Sequence, residues 1–233
     1  RAPEMKPLKH RNEFDILYNN IDSFQAPGLN DYEKSIFLTS AQDALVLELI
    51  TGKNLLGESF EKTEELREYL TDLVKTARLS PIEDRRVLKI SDKSTMYTPP
   101  QDLWFIVYES VVLDENELNC NNSNSIRVIP VTHDEYSKIK NNPFRRPERD
   151  RVLRLNISNK IELVSKYKIN DYTIRYISKL EPIILTDIKE DGLSIKGETI
   201  ETECKLNPAL HEAILGRAVE LAKASMGLIE SGR

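Results

Sequence analysis

Asn207-Pro208-Ala209-Leu210-His211-Glu212-Ala213-Ile214-Leu215-Gly216-Arg217-Ala218-Val219-Glu220-Leu221-Ala222 decides the fold. Asn207 is a helix N-cap residue, and Pro208 follows at the first helical position, where a missing N–H costs nothing. Leu210, Ile214, Leu215, Ala218, Leu221 and Ala222 then recur at helical spacing until Gly227. This stripe is too broad to leave in water, and the strands that precede it are not its default partners. The natural partners are amphipathic helices at the other end of the chain.

Those helices are legible. Pro27-Gly28 punctuates the chain, and Asn30 with Glu33 three positions on makes a capping-box pair. Phe37, Ala41, Ala44, Leu45 and Leu49 continue at helical spacing to Gly52. Before it, Phe14, Leu17, Tyr18 and Ile21 mark a shorter helix over 13–24. A third helix is predicted from about Ser59, burying Leu66, Tyr69, Leu70, Leu73, Val74 and Ala77, with Pro81 as its stop. The basic, proline-containing leader 1–11, which carries His10, reads as an arm that orders on assembly.

From Arg85 the period changes. Short runs of Val, Ile and aromatics predict strands over 87–90, 103–113, 126–131, 152–157, 161–167 and 172–177. Pro99-Pro100, the Asn-rich stretch 119–124, Asn141-Asn142-Pro143, Ser158-Asn159 and Asn170-Asp171 separate them as turns. Thr132 with Glu135 predicts one short capped helix over 133–140 within this region. The expected fold is α+β: a helical bundle formed by the N-terminal helices and the C-terminal helix, with a β-rich insertion domain. The expected boundaries are 1–82, 83–200 and 201–233.

Composition narrows the function. With 33 basic and 38 acidic residues the net charge is −5, which argues against a protein that coats nucleic-acid phosphates over its whole surface. No apolar run approaches the roughly 20 residues of a membrane span, and residues 1–6 lack the apolar stretch of a secretory signal. Cys120 and Cys204 stand far apart with no His at ligand spacing, which points to reduced thiols of cytoplasmic origin rather than zinc. GxxxxGK[ST], GxSxG, HExxH and GxGxxG motifs do not occur, so neither an enzyme nor a cofactor is expected. His133-Asp134-Glu135 are neighbours on a helix that point in different directions and cannot converge on one ion, and His211 reads as a packing or interface residue.

The sharpest local feature is the loop 141–151, Asn141-Asn142-Pro143-Phe144-Arg145-Arg146-Pro147-Glu148-Arg149-Asp150-Arg151. Two prolines stiffen a segment that presents four arginines around one aromatic. Arginine forks pair with carboxylates of a neighbouring subunit or with a phosphate backbone, and the interspersed Glu148 and Asp150 favour the protein interface. The candidate interface residues are Phe144, Arg145, Arg146, Arg149 and Arg151 of the loop, and Leu210, Ile214, Ala218 and Ala222 of the last helix. In that helix Gly216, Ala218, Ala222 and Ala224 would let a neighbouring helix come close.

Three blocks resemble virion proteins of crAss-like phages: 14–21 with 25–42, Tyr172-Thr173-Ile174-Arg175-Tyr176-Ile177 continuing to Leu185, and 208–222. They span the chain. The resemblance implies a non-enzymatic subunit of the neck and tail rings, similar in layout to podovirus tail adaptor proteins. It implies a homo-oligomeric ring of twelve copies below the portal, in contact with the portal protein and other ring proteins, with phage DNA passing through its channel. The expected location is the virion, after synthesis in the host cytoplasm, with no membrane partner. The alternative is a DNA-binding accessory virion protein that uses the arginine-rich loop 141–151.

Overall fold

A computed structural model describes residues 7–19, 28–51, 68–82, 88–114 and 125–226. It is a mixed α+β structure with a curled seven-stranded sheet and several helices. The chain divides into two compact units, Leu73–Lys179 and Arg1–Asp72 with Leu180–Arg233. The divisions therefore fall at 72/73 and 179/180, where 82/83 and 200/201 were expected.

In the discontinuous unit, α1 (Pro7–Asn19) begins with a proline at its first position, so the part of the expected leader arm that is described, 7–11, is helical. Residues 1–6 and 20–24 of the expected arm and first helix lie outside the described residues. The next helix, α2 (Asp31–Thr51), is opened by the expected capping box: Glu33 N–H donates to Asn30 Oδ1 at 2.8 Å and Asn30 N–H to Glu33 Oε2 at 2.9 Å. Phe14 and Tyr18 of α1 stack at 6.1 Å and are buried with Leu38, Ala41, Val46 and Leu49 of α2.

The buried face of α2 differs from the expected stripe. Phe37 and Ala44 are only half-buried, whereas Ser35, Thr39 and Gln42 lie fully inside. The reason is an extended segment laid along the helix. Ser35 Oγ accepts Leu185 N–H at 3.0 Å, Thr39 Oγ1 accepts Ile183 N–H at 3.0 Å, and Gln42 donates to the Glu181 carbonyl at 2.9 Å. Beyond these, Thr186 Oγ1 donates to Asp31 at 2.9 Å. Four residues of helix rise about 6 Å and two residues of extended chain about 6.6 Å, so each step along α2 meets every second residue of the segment.

The β unit contains β1 (Val74–Leu79), β2 (Ser94–Tyr97), β3 (Leu103–Leu113), β4 (Ile126–Pro130), the helix α3 (His133–Ile139), β5 (Val152–Ile157), β6 (Lys160–Val164) and β7 (Ile169–Ser178). The strand order is β1-β7-β3-β4-β5-β6-β2. All pairs are antiparallel except β4 with β5. The sheet curls until the chain just past β1 meets β2 at its other edge: Pro81 bridges Tyr97, and Ile82 N–H donates to the Met96 carbonyl at 2.7 Å. Curling hides the backbone that two free edges would offer to other chains. It also encloses Tyr97, Val111, Val128, Val152, Leu163, Tyr172 and Ile174 in one core.

Two segments differ from their expected structure. Val74 and Ala77, expected on a third helix, are in β1, because Val74–Leu79 pairs with Tyr172–Ile177 and the sheet satisfies its backbone. A helical turn survives at 68–70, and 59–67 lies outside the described residues. The expected strand over 87–90 is absent over its described part, 88–90, where Leu88 is 92% exposed; the strand lies instead at Ser94–Tyr97, against β6. The other expected strands stand within a few residues of their predicted limits, and Ser158-Asn159 is the two-residue turn between β5 and β6, with Ser158 at φ 52°. On the outer face of the sheet, α3 packs Tyr136 on Leu153, Leu155 and Val164, side chains worth about 1.5–3 kcal/mol each when fully buried.

The last helix, α4 (His211–Ser225), follows a 3-10 turn over Pro208–Leu210 that is capped by Asn207 Oδ1 on Ala209 N–H at 3.0 Å. It packs on α1 and α2. Arg217 pairs with Glu48 of α2 at 2.8 Å, and Lys223 donates to the Leu17 carbonyl near the end of α1 at 3.2 Å.

Candidate assembly interface

The loop that follows α3 is held by its own backbone. Asn142 N–H bonds the Ile139 carbonyl at 2.9 Å, the Asn142 side chain accepts Phe144 N–H at 2.9 Å, and the Asn142 carbonyl accepts Arg145 and Arg146 N–H at 3.1 and 2.9 Å. Glu148 and Arg151 exchange two backbone bonds at 3.1 Å, and the Arg151 guanidinium closes the loop onto the Phe144 carbonyl. On this frame Phe144 stands 85% exposed. The loop's own hydrogen bonds thus hold a large aromatic in water.

The arginines divide by role. Arg146 is tied to Glu148 at 3.1 Å, and Lys166 completes that cluster at 2.9 Å. The Lys166 hydrogen bond holds the Glu148 carboxyl below its usual range. Arg145 and Arg151 instead line a groove of about 500 Å³, together with Ile129, Val131, Ile139, Leu153 and the single carboxylate of Glu135. Arg149 is exposed. Phe144, Arg145, Arg146, Arg149 and Arg151 therefore share one loop with an apolar groove beside it, which suits a partner with an apolar anchor and carboxylates.

The structure places the four helix residues elsewhere. Leu210, Ile214, Ala218 and Ala222 are 7%, 2%, 0% and 0% exposed, in the core of their own unit. Leu221, expected on the same face, is 37% exposed, and a Cβ at Gly216 would meet nothing within 4 Å. His211 is buried and its Nε2 lies 2.9 Å from the Leu206 carbonyl, a packing role. His133 begins the capped helix α3, as expected.

Sequence reasoning missed a charged cluster inside the sheet. Glu109 of β3 lies 3.1 Å from Arg154 Nε of β5 and accepts the Tyr172 hydroxyl of β7 at 2.7 Å. The ion pair is close, but its angle leaves Arg154 Nε without a directed hydrogen bond. Burial raises the Glu109 carboxyl, against the opposing pull of Arg154; burial, then Glu109, raises the Tyr172 hydroxyl. The only signal was a glutamate at an inward position of an alternating strand.

The chain matches the model of phage tail ring protein 3/4 over residues 5–232. It belongs to that family. Ring protein 3 of Bacteroides phage crAss001 is 46% identical over 211 residues, covering 90% of this chain and 91% of the relative. Ring protein 4/5 of the same phage is 32% identical over 223 residues, covering 92% and 90%. Membership in the tail ring family makes this a structural protein of the phage tail, and its place is the virion. Among the described residues, no helix is long and apolar enough to cross a membrane, and no group of three or more His, Cys, Asp or Glu could hold a metal ion.

Proposed function

We propose that this tail ring protein is the repeating subunit of a closed ring in the neck or tail. In this reading identical copies meet side to side, DNA passes through the centre, and the ring lies below the portal as an adaptor of about twelve copies, in contact with the portal and with other ring proteins. A ring requires two different, complementary surfaces on each subunit. The loop 141–151 is one of them, with Phe144 as the anchor and Arg145 as the charged contact. The observation that carries this assignment is an aromatic 85% exposed on a loop already fixed by its own hydrogen bonds. The arrangement is structural rather than catalytic, and the buried stripe of α4 serves by keeping the subunit rigid.

Native mass measurement tests the reading. Assembled material should run at about twelve times the 26.8 kDa of the chain, and Arg145→Ala with Arg146→Ala should lower the assembled fraction. A wild-type protein that enters particles singly, not as a ring, would overturn it. Salt-dependent DNA binding by the isolated subunit, lost in the double variant, would assign the loop to DNA instead.

A further inference from the structure

A second binding site, unrelated to the arginine-rich loop, opens in the side of the curled sheet. Over most of its length β3 has β7 on one side, but on the other it pairs with β4 only through Ser110 and Val111. From Val128 onward β4 leaves β3 and runs parallel to β5. The first half of β3 therefore has no strand on that side among the described residues. A cleft of about 670 Å³ occupies the gap.

Its walls have a definite chemistry. Register shifts between Leu103 and Phe105 and between Ile106 and Tyr108 break the strict alternation of β3, and consecutive residues Trp104, Phe105 and Ile106 line the same cleft, with the Trp104 and Phe105 rings 5.1 Å apart. Arg154, Lys160 and Lys179 line it as well. Among the described residues that line the cleft there is no carboxylate. Glu109 is 6% exposed and already engaged by Arg154 and Tyr172, and Asp102, between the lining residues Gln101 and Leu103, is engaged by Lys75 and Tyr176.

We propose that this cleft receives an extended, acidic polypeptide segment of a neighbouring ring subunit, which adds to the open edge of β3 as a strand. Edge addition takes its affinity from main-chain hydrogen bonds and its selectivity from side-chain pockets. The aromatic wall takes the apolar residues of such a strand, and Lys160 and Lys179 take its carboxylates, Arg154 being paired with Glu109. An open backbone edge favours a peptide over a nucleic acid, which has no amide ladder to pair with it. The identity of the partner as a ring subunit rests on the proposed ring; the site itself does not.

Trp104 is the only tryptophan in the chain, so its fluorescence reports on this cleft alone. The probe is a synthetic hexapeptide with the order of residues 198–203, Glu-Thr-Ile-Glu-Thr-Glu, added to subunits shown by mass to be monomeric. A saturable change in Trp104 emission is expected. It should weaken at least tenfold in Lys160→Glu/Lys179→Glu, and also in Lys179→Glu alone, whose exposed position leaves the sheet undisturbed. N-methylation of alternate amides in the peptide should abolish it. No saturable change with wild type, equal binding of the N-methylated peptide, or tighter binding of oligothymidylate would each overturn the proposal. Peptide binding by a protein that never forms rings would retire the ring and leave the cleft.

Discussion

At the scale of single residues, burial sets two measurable properties. Cys204 donates its thiol to Gln42 Oε1 at 3.3 Å, and burial pushes that thiol up to about 11. Since the thiolate is the nucleophile, roughly one molecule in a thousand is reactive at pH 8. Iodoacetamide should therefore label Cys204 far more slowly in the folded protein than in urea, as read by peptide mass mapping. Glu109 provides a pH test. Its carboxyl is raised above 4.5 in the folded state, chiefly by burial, so the native state holds its proton at pH values where the unfolded chain has released it. Folding stability from this group is then full below about pH 4.5 and declines as pH rises through the folded value. The difference in unfolding free energy between wild type and Glu109→Gln should shift in favour of Gln as pH rises from 4 to 7. A difference independent of pH would mean that Arg154 cancels the burial.

At the scale of elements, the polar ladder of α2 replaces a purely apolar contact. Thr39 both accepts Ile183 N–H at 3.0 Å and donates to the Ile183 carbonyl at 3.4 Å, all of it buried. Thr39→Val keeps the shape and orphans two backbone groups, at a cost of about 2–3 kcal/mol in urea unfolding. Ser40→Ala, one position round the helix on an exposed face, should change stability by less than about 0.5 kcal/mol. In α4, Leu215 is 4% exposed, and Leu215→Asp puts an unpaired charge in that core; a loss of about 4 kcal/mol or more and failure to assemble are expected. A Leu215→Asp protein that melts normally would mean that α4 is dispensable to its unit. The loop 141–151 behaves oppositely, because its bonds are local: Arg145→Ala with Arg146→Ala should leave the melting temperature nearly unchanged.

At the scale of the molecule, the β unit begins and ends at one place. Val74 pairs with Ile177, and Ser178 Oγ donates to the Leu73 carbonyl at 3.3 Å, so the termini of Leu73–Lys179 lie side by side. A fragment 73–179 should fold alone, with protected amides in β3, β6 and β7 by hydrogen exchange; a fragment without protection would mean that the sheet depends on the other unit. The family was legible in blocks spread along the chain. So were α2 with its cap, the capped α3, most strands and the last helix, because caps, turns and periodicity act within a few residues. The N–H groups that Ser35 and Thr39 satisfy belong to residues about 150 positions away, so nothing local distinguishes those side chains from a solvated face. Val74 and Ala77 fit a helical stripe by spacing, and the waiting edge of β7 made Val74–Leu79 a strand instead. Local pattern therefore determined which segments would be regular and which residues would make a stiff, cationic loop. Only the tertiary structure decided which polar groups go inside, where β4 leaves β3 to open a cleft, and that the apolar stripe of α4 is used within its own unit, since each depends on backbone partners supplied from elsewhere in the chain.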